Sequence, residues 1–499
     1  MKRRLMFCTV LFLAVSFCFA QTEVNNEEKD IYVKLLSGAI QNSYDMQMKV
    51  IAFLTANGEY HQAKGLAGLN LGADTNFEYK DPQKMNATSL SAEIYLQKDF
   101  SFGLNTALSY SMSICKDMYS TASNTGTIAL EFQLPLFKSF NNAIAKNEIE
   151  KAGYYLDAIK NDFIAEVSAV ILKTSELFFN FLIQDTTLEQ VKKNKKNLEE
   201  QINDMPALIE AGVRSKNDLL EMTVNLEDYK SMILSREAEL SQTLTELFLL
   251  TGVSFEEILN GVPEFSEIRD TAYLSLSKED IVFSDEEIKK VVSQSPDIIA
   301  LKNQVSAAKT SQKIAKIKAL PDLNLSFALN TTGSLDSNDF GAFFASPYNN
   351  VSGPNIGGQL SFKMGLDRFN AKGLLEVADA QVMKAELDYS TKVKEKTKNI
   401  ETSIELLNKY RKFSQKANDT LNMNEELHEN QVKRFKAGLI TVNELFSQDE
   451  KLLNANSNFI KLLTAYFMQV LNYKHYTNKL VALTNDDVNN YGTRLFTEE

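Results

Sequence analysis

The chain is poor in the residues that stabilise small exported proteins or mark enzyme sites. Its 499 residues include three cysteines, eight prolines, three histidines and no tryptophan. If a leader peptide is cleaved after Ala20, only Cys115 remains and no intramolecular disulfide can form. His61, His428 and His475 share no metal-ligand spacing, and we find no nucleophile motif with positioned partners or phosphate-binding glycine loop. The sequence therefore argues against an exported hydrolase and predicts no cofactor and no metal site.

Long apolar segments are also missing beyond Ala20. No later stretch approaches the roughly 18 uninterrupted apolar residues that a membrane-spanning helix needs, so any crossing of a membrane must be made by strands. Acidic residues outnumber basic ones, 65 to 53, and the formal net charge is −12. This balance excludes nucleic acid as an expected partner. With 44% apolar and 24% charged residues, the composition is that of a folded protein.

The segment 1–20 has the pattern of a secretory signal peptide. A basic start at 2–4 precedes an apolar stretch at 5–17, and Ala20 offers a small residue for cleavage. Removing the three basic residues changes the formal net charge from −12 to −15. An acylated lipoprotein cysteine at Cys18 is the alternative, although Phe17 is bulky where that processing requires a small residue. The mature protein is predicted to be exported and acidic.

One nine-residue phrase occurs twice, as AGVRSKNDL at 211–219 and as AGLITVNEL at 437–445. The tripeptide Leu-Asn-Leu recurs at 69–71 and 323–325, and a weaker Phe-Asn match recurs at 140–141 and 369–370. Repeats this far apart indicate a duplicated structural unit rather than a short solenoid repeat. Because the copies of Leu-Asn-Leu are further apart than the copies of Phe-Asn, the first half contains an additional segment between the strand motif and the long helix.

Each copy of the phrase has the pattern of a tight turn between two helices. Gly212 and Gly438 suit the left-handed conformation that ends a helix. Ser215 and Thr441, each followed three residues later by an acid, form the capping-box pattern that starts the next helix. The chain is therefore predicted to reverse direction at two equivalent places.

Long helical patterns precede both turns. Apolar residues step by three and four through 141–211 and again through 370–437, which is the spacing of a coiled-coil seam. About 70 residues at 1.5 Å each give rods of roughly 100 Å. Shorter helices predicted at 31–64 and 215–252 together match one long rod in length.

Between the helices, the hydrophobic period changes to two. Apolar and polar residues alternate through 69–79 and more cleanly through 102–114. Further strands are predicted at 90–96, 128–136, 323–329 and 356–366. A transmembrane strand has about 9–11 residues of this pattern, whereas a soluble sandwich with one face on a core gives the same alternation. We favour the membrane interpretation because the chain is exported and the strands are joined by loops rich in Gly, Ser and Asn.

Four to six strands cannot close a barrel, since the smallest membrane barrels need about eight. An open sheet edge in lipid leaves backbone groups unpaired. We therefore expect other copies of the chain to complete the barrel. A homotrimer contributing four strands per chain gives twelve, and one contributing six gives eighteen; the additional segment of the first half is where the extra hairpin would lie.

Together these features resemble the TolC family of outer-membrane efflux channels, over essentially the whole mature chain. Ala319-Leu320-Pro321-Asp322-Leu323 resembles the family's strand entry, and Leu134-Pro135-Leu136-Phe137 its strand exit. The resemblance implies a mostly α fold with membrane β: two tandem repeats of helix, β-hairpin, long helix, turn and helix, and a trimeric outer-membrane β-barrel continuous with a periplasmic α-helical barrel.

The resemblance also implies functional residues at the turns. The predicted periplasmic tip, which docks an adaptor, comprises Gly212, Val213, Arg214, Ser215, Gly438, Leu439, Ile440 and Thr441. The predicted aperture residues are Asp218, Phe435 and Glu444. In the family, acidic residues ring the aperture, and an arginine and a tyrosine link neighbouring helices. Here Phe435 stands in place of the tyrosine and Ile440 in place of the arginine, so Arg214 is a candidate substitute. The capping boxes alone also explain an acid at Asp218 and Glu444.

The predicted organisation follows from these assignments. It comprises a signal peptide at 1–20, a first repeat at 21–252 with strands at about 66–136 and a tip turn at 211–218, a linker at 253–284, a second repeat at 285–478 with strands at about 321–366 and a tip turn at 437–444, and a tail at 479–499. The implied function is the passive outer-membrane duct of a tripartite export system, partnered by a periplasmic adaptor, an inner-membrane transporter and outer-membrane lipid. The alternative is an exported coiled-coil adhesin or structural rod, which explains the helices but not the membrane-length strands.

Overall fold

The computed structural model describes residues 31–79, 87–117, 121–261, 282–365 and 369–481. The predicted signal peptide, Cys18, most of the predicted linker and all but the start of the predicted tail lie outside these ranges. The helices are α1 (Ile31–Asn42), α2 (Tyr44–Gly65), α3 (Ile144–Glu210), α4 (Lys216–Thr251), α5 (Phe255–Asn260), α6 (Asp285–Ser293), α7 (Pro296–Lys318), α8 (Phe340–Ala345), α9 (Phe369–Lys436) and α10 (Val442–Tyr476).

Six strands make up the rest of the regular structure in the described part of the chain. They are β1 (Leu69–Tyr79), β2 (Ala87–Asp99), β3 (Asn105–Asp117), β4 (Ser123–Pro135), β5 (Asp322–Asp336) and β6 (Ser352–Lys363). Two 3₁₀ turns, Phe140–Asn142 and Ser346–Tyr348, precede α3 and follow α8. None of the helices in the described ranges combines the length and the apolar character that crossing a membrane would demand.

The chain divides into two compact units. The helical unit contains residues 31–52, 160–299 and 391–481 of the described chain, and the sheet unit contains 53–159 and 300–390. Each unit therefore combines segments from both halves of the sequence.

The helical unit is organised around apolar seams between its long helices. One cluster joins α3, α4, α9 and α10, and its buried members are Val191, Leu198, Met205, Met222, Tyr229, Phe435, Ile440, Val442, Leu445 and Leu453. A second cluster joins α9 to α10 around Leu421, Phe459 and Leu463. Val191, Leu198 and Met205 recur every seven residues in α3, so they share one face of the helix, as expected of the predicted coiled-coil seam.

Helix α1 packs closely on the end of α4. A Cβ atom at Gly38 would lie 2.4 Å from the carbonyl oxygen of Thr251, so only glycine allows this approach. The Asn42 side chain donates to the same carbonyl at 2.9 Å, which satisfies a helix-terminal acceptor. Gly252, with φ 72°, ends α4 in the left-handed conformation.

The predicted helix bounds were close, with one correction. The predicted helix at 31–64 is two helices, because Ser43 interrupts it. The Ser43 hydroxyl accepts a hydrogen bond from the backbone N–H of Met46 at 3.3 Å, which caps the first turn of α2. Serine competes with the helical backbone in this way, and the hydrophobic period alone does not reveal the break.

The sheet unit contains one antiparallel sheet in the order β1-β2-β3-β4-β5-β6. Four strands come from the first half of the chain and two from the second, with β4 and β5 paired along their length. All six predicted strands are present, so the sheet in the described part of the chain has six strands rather than four. Each of the outer strands, β1 and β6, has one edge without a partner within the described chain.

The predicted strand at 102–114 is displaced. Its first three residues, Phe102 to Leu104, lie in the β2–β3 turn, and β3 runs from Asn105 to Asp117. Gly103 adopts φ 98° and its N–H bonds the Phe100 carbonyl at 2.8 Å, which closes the turn. The Phe102 ring lies 6.0 Å from the ring of Phe140 instead of continuing the strand. The alternation was read correctly, but it does not distinguish a strand end from a turn.

Candidate functional site

The first candidate site is the two-faced sheet. Strand pairing aligns apolar side chains with apolar side chains across all six strands. The residues of one continuous row, in strand order, are Leu71, Leu96, Leu108, Leu130, Leu329 and Ile356. Rows on either side of it on the same face add Phe77, Leu90, Ile94, Ile114, Ile128, Phe132, Leu325, Phe327, Leu360 and Phe362. We call this surface the apolar face.

The opposite face is polar in the same continuous way. One row on it consists of Gly72, Tyr95, Ser109, Ala129, Asn330 and Asn355. Serine, threonine, asparagine, glutamine and acidic side chains occupy most of its other positions, including Asp74, Glu93 and Glu131. Because side chains alternate between faces with a period of two, one register fixes both faces at once.

Exposure distinguishes the membrane interpretation from a soluble sandwich. A sandwich would cover the apolar face with a second layer, yet most of its large side chains are exposed. Leu71 is 76% exposed and Phe362 63%. Leu69, Phe77, Ile94, Leu108, Phe327, Ile356 and Leu360 are exposed as well. Contiguous apolar surface of this extent marks an interaction with a membrane or a protein partner.

Strand length fits a bilayer. The strands contain 11 to 15 residues, and β3 with 13 residues extends about 43 Å at about 3.3 Å per residue. Tilted by about 45°, such a strand crosses about 30 Å, the thickness of the hydrocarbon core. The sheet therefore has one apolar face with strands long enough for a bilayer and one polar face.

The second candidate site is formed by the two helix-to-helix turns, which lie in the helical unit. Gly212 has φ 71° and Gly438 has φ 73°, so both end their helices in the left-handed conformation. The N–H groups after each glycine return to carbonyls of the preceding helix, Val213 to Leu208 at 3.0 Å and Leu439 to Arg434 at 3.0 Å. This is the hydrogen-bonding pattern that a left-handed cap provides.

Both predicted capping boxes are present. The Ser215 hydroxyl accepts from the Asp218 N–H at 3.2 Å, while the Ser215 N–H donates to the Asp218 carboxylate at 2.9 Å. Thr441 and Glu444 make the equivalent pair at 3.2 and 2.7 Å. These bonds lower the pKa of the exposed Glu444 carboxyl, with a smaller contribution from the positive charge of Arg434. Glu444 is therefore held as a carboxylate at the surface of the turn.

The structure brings the two turns together through Arg214. Its guanidinium donates to the Phe435 carbonyl at 2.8 Å and lies 4.1 Å above the centre of the Phe435 ring. A Cβ atom at Gly438 would lie 3.1 Å from Val213, so the turns also touch directly. Arg214 thus links the first turn to the end of α9.

The predicted tip residues divide by exposure. Gly212, Val213, Ser215, Gly438, Leu439 and Thr441 are exposed, as is Glu444. Ile440 and Phe435 are 6% and 5% exposed and belong to the apolar cluster beneath the turns. Arg214 and Asp218 are half-buried. The exposed surface of the turns is therefore made by the two glycines, Val213, Ser215, Leu439 and Thr441, and Ile440 packs beneath it.

The helical unit also contains a polar cluster that the sequence did not predict. Buried Lys396 pairs with Asp297 at 3.2 Å, and His475 Nδ1 lies 2.6 Å from the Ser168 hydroxyl. These four side chains line a small cavity. Burial, followed by the positive charge of Lys396, lowers the pKa of His475 to about 4. Residues from four separate helices form the cluster, so no local spacing indicated it. No group of side chains suited to holding a metal ion was found in the described ranges.

Comparison with known proteins gives one family match, over part of the chain, and several structural matches. Residues 288–472 match the family model described as outer membrane efflux protein. No protein with curated function matches the sequence. Among solved structures, the CmeC outer membrane channel of Campylobacter jejuni aligns with a TM-score of 0.66 at 13% identity, covering 93% of this chain and 89% of that one.

Two further channels give the same result. The outer membrane protein VceC of Vibrio cholerae aligns with a TM-score of 0.64 at 14% identity, covering 90% of this chain and 96% of that one. The open-state MtrE outer membrane channel of Neisseria gonorrhoeae gives 0.62 at 14% identity, with 91% and 90% covered. At these identities the likeness establishes the fold, over nearly the full length of each chain.

Proposed function

We propose that this chain, whose resemblance to the TolC family is confirmed by the outer membrane efflux protein match and by the fold, is the outer-membrane channel of a tripartite efflux system. The observation that carries the proposal is the apolar face, which is exposed, continuous across six strands and of bilayer height. The channel is a passive duct rather than an enzyme, opened and driven by its partners. We place the strands in the outer membrane and the helices in the periplasm.

We infer that a homotrimer closes the barrel. Strands β1 and β6 each leave one edge for a neighbouring copy, and lipid does not tolerate open edges. Six strands per chain then give eighteen in the trimer rather than twelve. With strands about 4.8 Å apart and tilted by about 40°, eighteen strands enclose a cylinder of about 36 Å diameter between backbones, against about 24 Å for twelve. The polar face would line this lumen.

Exposed apolar side chains on the long helices support the same assembly. Leu220, Leu234 and Leu249 on α4 are exposed, as are Met383, Leu387 and Met423 on α9. Long exposed helices with apolar residues on the outer surface favour packing against further helices. Four helical rods per chain, two long and two formed from shorter pieces, would give the twelve-helix barrel that the resemblance implies. We further propose that this arrangement arose by tandem duplication, with the bounds predicted above.

The two turns would form the periplasmic tip. We propose that an adaptor docks on Gly212, Val213, Ser215, Gly438, Leu439 and Thr441, with Arg214 and Ile440 holding the turns in position. Asp218, Phe435 and Glu444 would lie at the aperture. Arg214 then serves as the inter-helix link that Ile440 cannot supply, because it bonds the Phe435 carbonyl and stacks on its ring. The adaptor would in turn connect to an inner-membrane transporter.

The proposal is tested by expressing the full chain and following it through cell fractionation. We expect the protein in the outer-membrane fraction, migrating as a trimer in unheated detergent electrophoresis and as a monomer after boiling. The purified trimer should conduct ions in planar bilayers. A soluble monomer in the periplasm would contradict the proposal, and digestion of the helices by protease added to intact cells would favour a surface rod.

A further inference from the structure

The β5–β6 connection folds back onto the sheet, although the sequence predicted only an irregular polar loop there. Its residues 340–348 form α8 and a 3₁₀ turn, and we call them the aromatic segment because they include Phe340, Phe343, Phe344 and Tyr348. Asp339 caps α8 by accepting from the Gly341 N–H at 3.1 Å. Asn349 anchors the far end by donating to the Ala345 carbonyl at 2.8 Å. The segment is therefore an ordered element.

Two glycines paired in register make the docking place. Gly126 of β4 lies opposite Gly333 of β5, and neither has the side chain that would block the segment. A Cβ atom at Gly126 would lie 2.2 Å from Pro347, and one at Gly333 would lie 2.2 Å from the Ser346 carbonyl oxygen. Ser346 and Pro347 are buried as a result. Glycine at these two positions is required by the contact.

The segment lies on the apolar face. Strand pairing places Gly126 and Gly333 in one row with Met112 and Ala92. The next row on the same face, two residues along each strand, contains Ile94, Tyr110 and Ile128. Tyr110, on that face, donates from its hydroxyl to the Phe344 carbonyl at 3.0 Å. Phe343 and Ala342 are buried in this contact region, and so is Met112. The segment thus covers one end of a face on which most of the other large side chains are exposed.

That end of the sheet is the one opposite the long helices. Strands β1, β3 and β5 end there and β2, β4 and β6 begin there, whereas the ends of α3, α7 and α9 that are adjacent to strands in sequence belong to the opposite end. In the proposed orientation this is the outer surface of the membrane. The segment therefore sits where the hydrocarbon of the outer leaflet meets its polar groups.

The outward surface of the segment remains apolar and aromatic. Phe340, Phe344 and Tyr348 are exposed, and Val351 beside them is exposed too. Phe344 packs edge-on against Phe340 at 5.4 Å and Phe343 at 5.2 Å, so the rings form one cluster. Aromatic rings concentrate at the two interfaces of membrane proteins, where one part of the side chain is apolar and the other wet.

Resting on the proposed function, we propose that the aromatic segment is a lipid-binding anchor, in which Phe340, Phe344 and Tyr348 insert between lipids at the acyl-chain to headgroup boundary of the outer leaflet. The segment covers part of the apolar face, and its own exposed aromatic rings then contact the lipid in place of that part. Its occupant is lipid because the ring cluster is continuous with the apolar face that the membrane already covers. Tyr110 and the glycine pair fix the segment on the sheet at the height of the bilayer surface.

The absence of tryptophan from the chain provides a direct probe. Phe344→Trp creates a sole fluorophore in the full-length protein, which is reconstituted in vesicles containing lipids brominated either near the headgroups or near the chain ends. Leu360→Trp on the apolar face and Gln359→Trp on the polar face serve as matched controls at adjacent positions of β6. We expect Trp at 344 to be quenched about twofold more by shallow than by deep bromine. Trp at 360 should be quenched by bromolipid, and Trp at 359 only by aqueous iodide.

A second pair of variants tests the docking. Gly333→Ala in the Phe344→Trp background forces a Cβ against the Ser346 carbonyl, so we expect the shallow quenching to fall by about half as the segment leaves its seat. Gly358→Ala is the matched control, because it lies on the same face of the neighbouring strand with open space around its Cβ position. It should leave the quenching unchanged.

The outcomes separate the anchor from the channel. Quenching at 360 without quenching at 344 would overturn the anchor and leave the membrane sheet intact. Iodide quenching at 344 equal to that at 359 would place the rings in water, and protection of 344 from both quenchers would mean that protein covers them. Either result contradicts the proposal. Loss of bromolipid quenching at 360 as well would instead contradict the proposed function.

Discussion

Replacing Arg214 by alanine tests whether the link between the two turns keeps the periplasmic end closed. The change removes the hydrogen bond from the guanidinium to the Phe435 carbonyl and the stacking on the Phe435 ring. A hydrogen bond from a charged donor contributes about 1.5–3 kcal/mol, and an exposed cation–π contact about 0.5–1 kcal/mol. Because Arg214 is only half-buried, we use the low end and take about 2 kcal/mol for both together.

That free energy sets the size of the expected effect on gating. If the link exists only in the closed arrangement, losing about 2 kcal/mol raises the ratio of open to closed channels about 30-fold, since about 1.4 kcal/mol is a factor of ten. Single-channel recordings of the reconstituted trimer measure this ratio. Arg214→Lys should give an intermediate value, because lysine keeps the charge but lacks the planar group that stacks and bonds.

Arg434→Ala is the matched control for this experiment. Arg434 lies beside Phe435 at the end of α9, is exposed, and donates from its guanidinium to the Gln431 side chain at 3.4 Å. Arg434→Ala removes one positive charge, as Arg214→Ala does, but keeps the contact between Arg214 and Phe435. Equal changes in open probability for Arg214→Ala and Arg434→Ala would contradict the proposed role of the link. A lower unfolding temperature for Arg214→Ala with unchanged gating would contradict it too.

Three further predictions concern stability and conduction. Gly212→Ala should cost about 1 kcal/mol of unfolding free energy from left-handed strain alone, and Gly438→Ala should cost more, because its Cβ also meets the facing turn; denaturant unfolding measures both. His475, with its pKa lowered to about 4, is neutral when folded, so stability should fall as pH drops from about 6.5 to about 4, by at most about 3 kcal/mol. His475→Gln should flatten this dependence. Glu444→Gln should weaken block of the trimer by multivalent cations added from the periplasmic side.

Each of these has a defined failure. Equal costs for the two glycine variants would show that the turns do not touch, and Gly373→Ala, in open space within α9, provides a helical control that should not destabilise the protein. If the unfolding free energy of the wild-type protein is the same at about pH 4 and about pH 6.5, burial does not lower the pKa of His475 in the folded state. Unchanged cation block in the Glu444 variant would leave that carboxylate as a helix cap only.

The elements that the sequence predicted well are those with long regular periods. Helix α9 was placed within one residue of its bounds, because apolar residues step by three and four along all of it. The turns were placed correctly as well, since glycine in the left-handed region and a capping box are local devices whose residues lie within a few positions. The helix period and the turn residues are each contained in one continuous stretch of the chain.

What the sequence did not predict depends on contacts between distant segments. The aromatic segment folds because Gly126 and Gly333, which belong to opposite halves of the sequence, become neighbours only when β4 pairs with β5. The cluster around Lys396 and His475 likewise joins separate helices. Arg214 was predicted only as a candidate substitute for the family's arginine, and its contacts with the carbonyl and ring of Phe435 depend on the meeting of two distant turns.

The proposed channel requires one face of the sheet to contact lipid and the other to contact water. Spin labels placed singly along 105–109 of β3, outside the part of the face that the aromatic segment covers, test it most directly in reconstituted trimers of a Cys115→Ser background. We predict alternation with a period of two, in which even positions such as Leu108 are accessible to oxygen dissolved in the bilayer and odd positions such as Ser109 to a water-soluble relaxant. Labels at even positions that neither reagent reaches, as in a soluble core, would contradict the account.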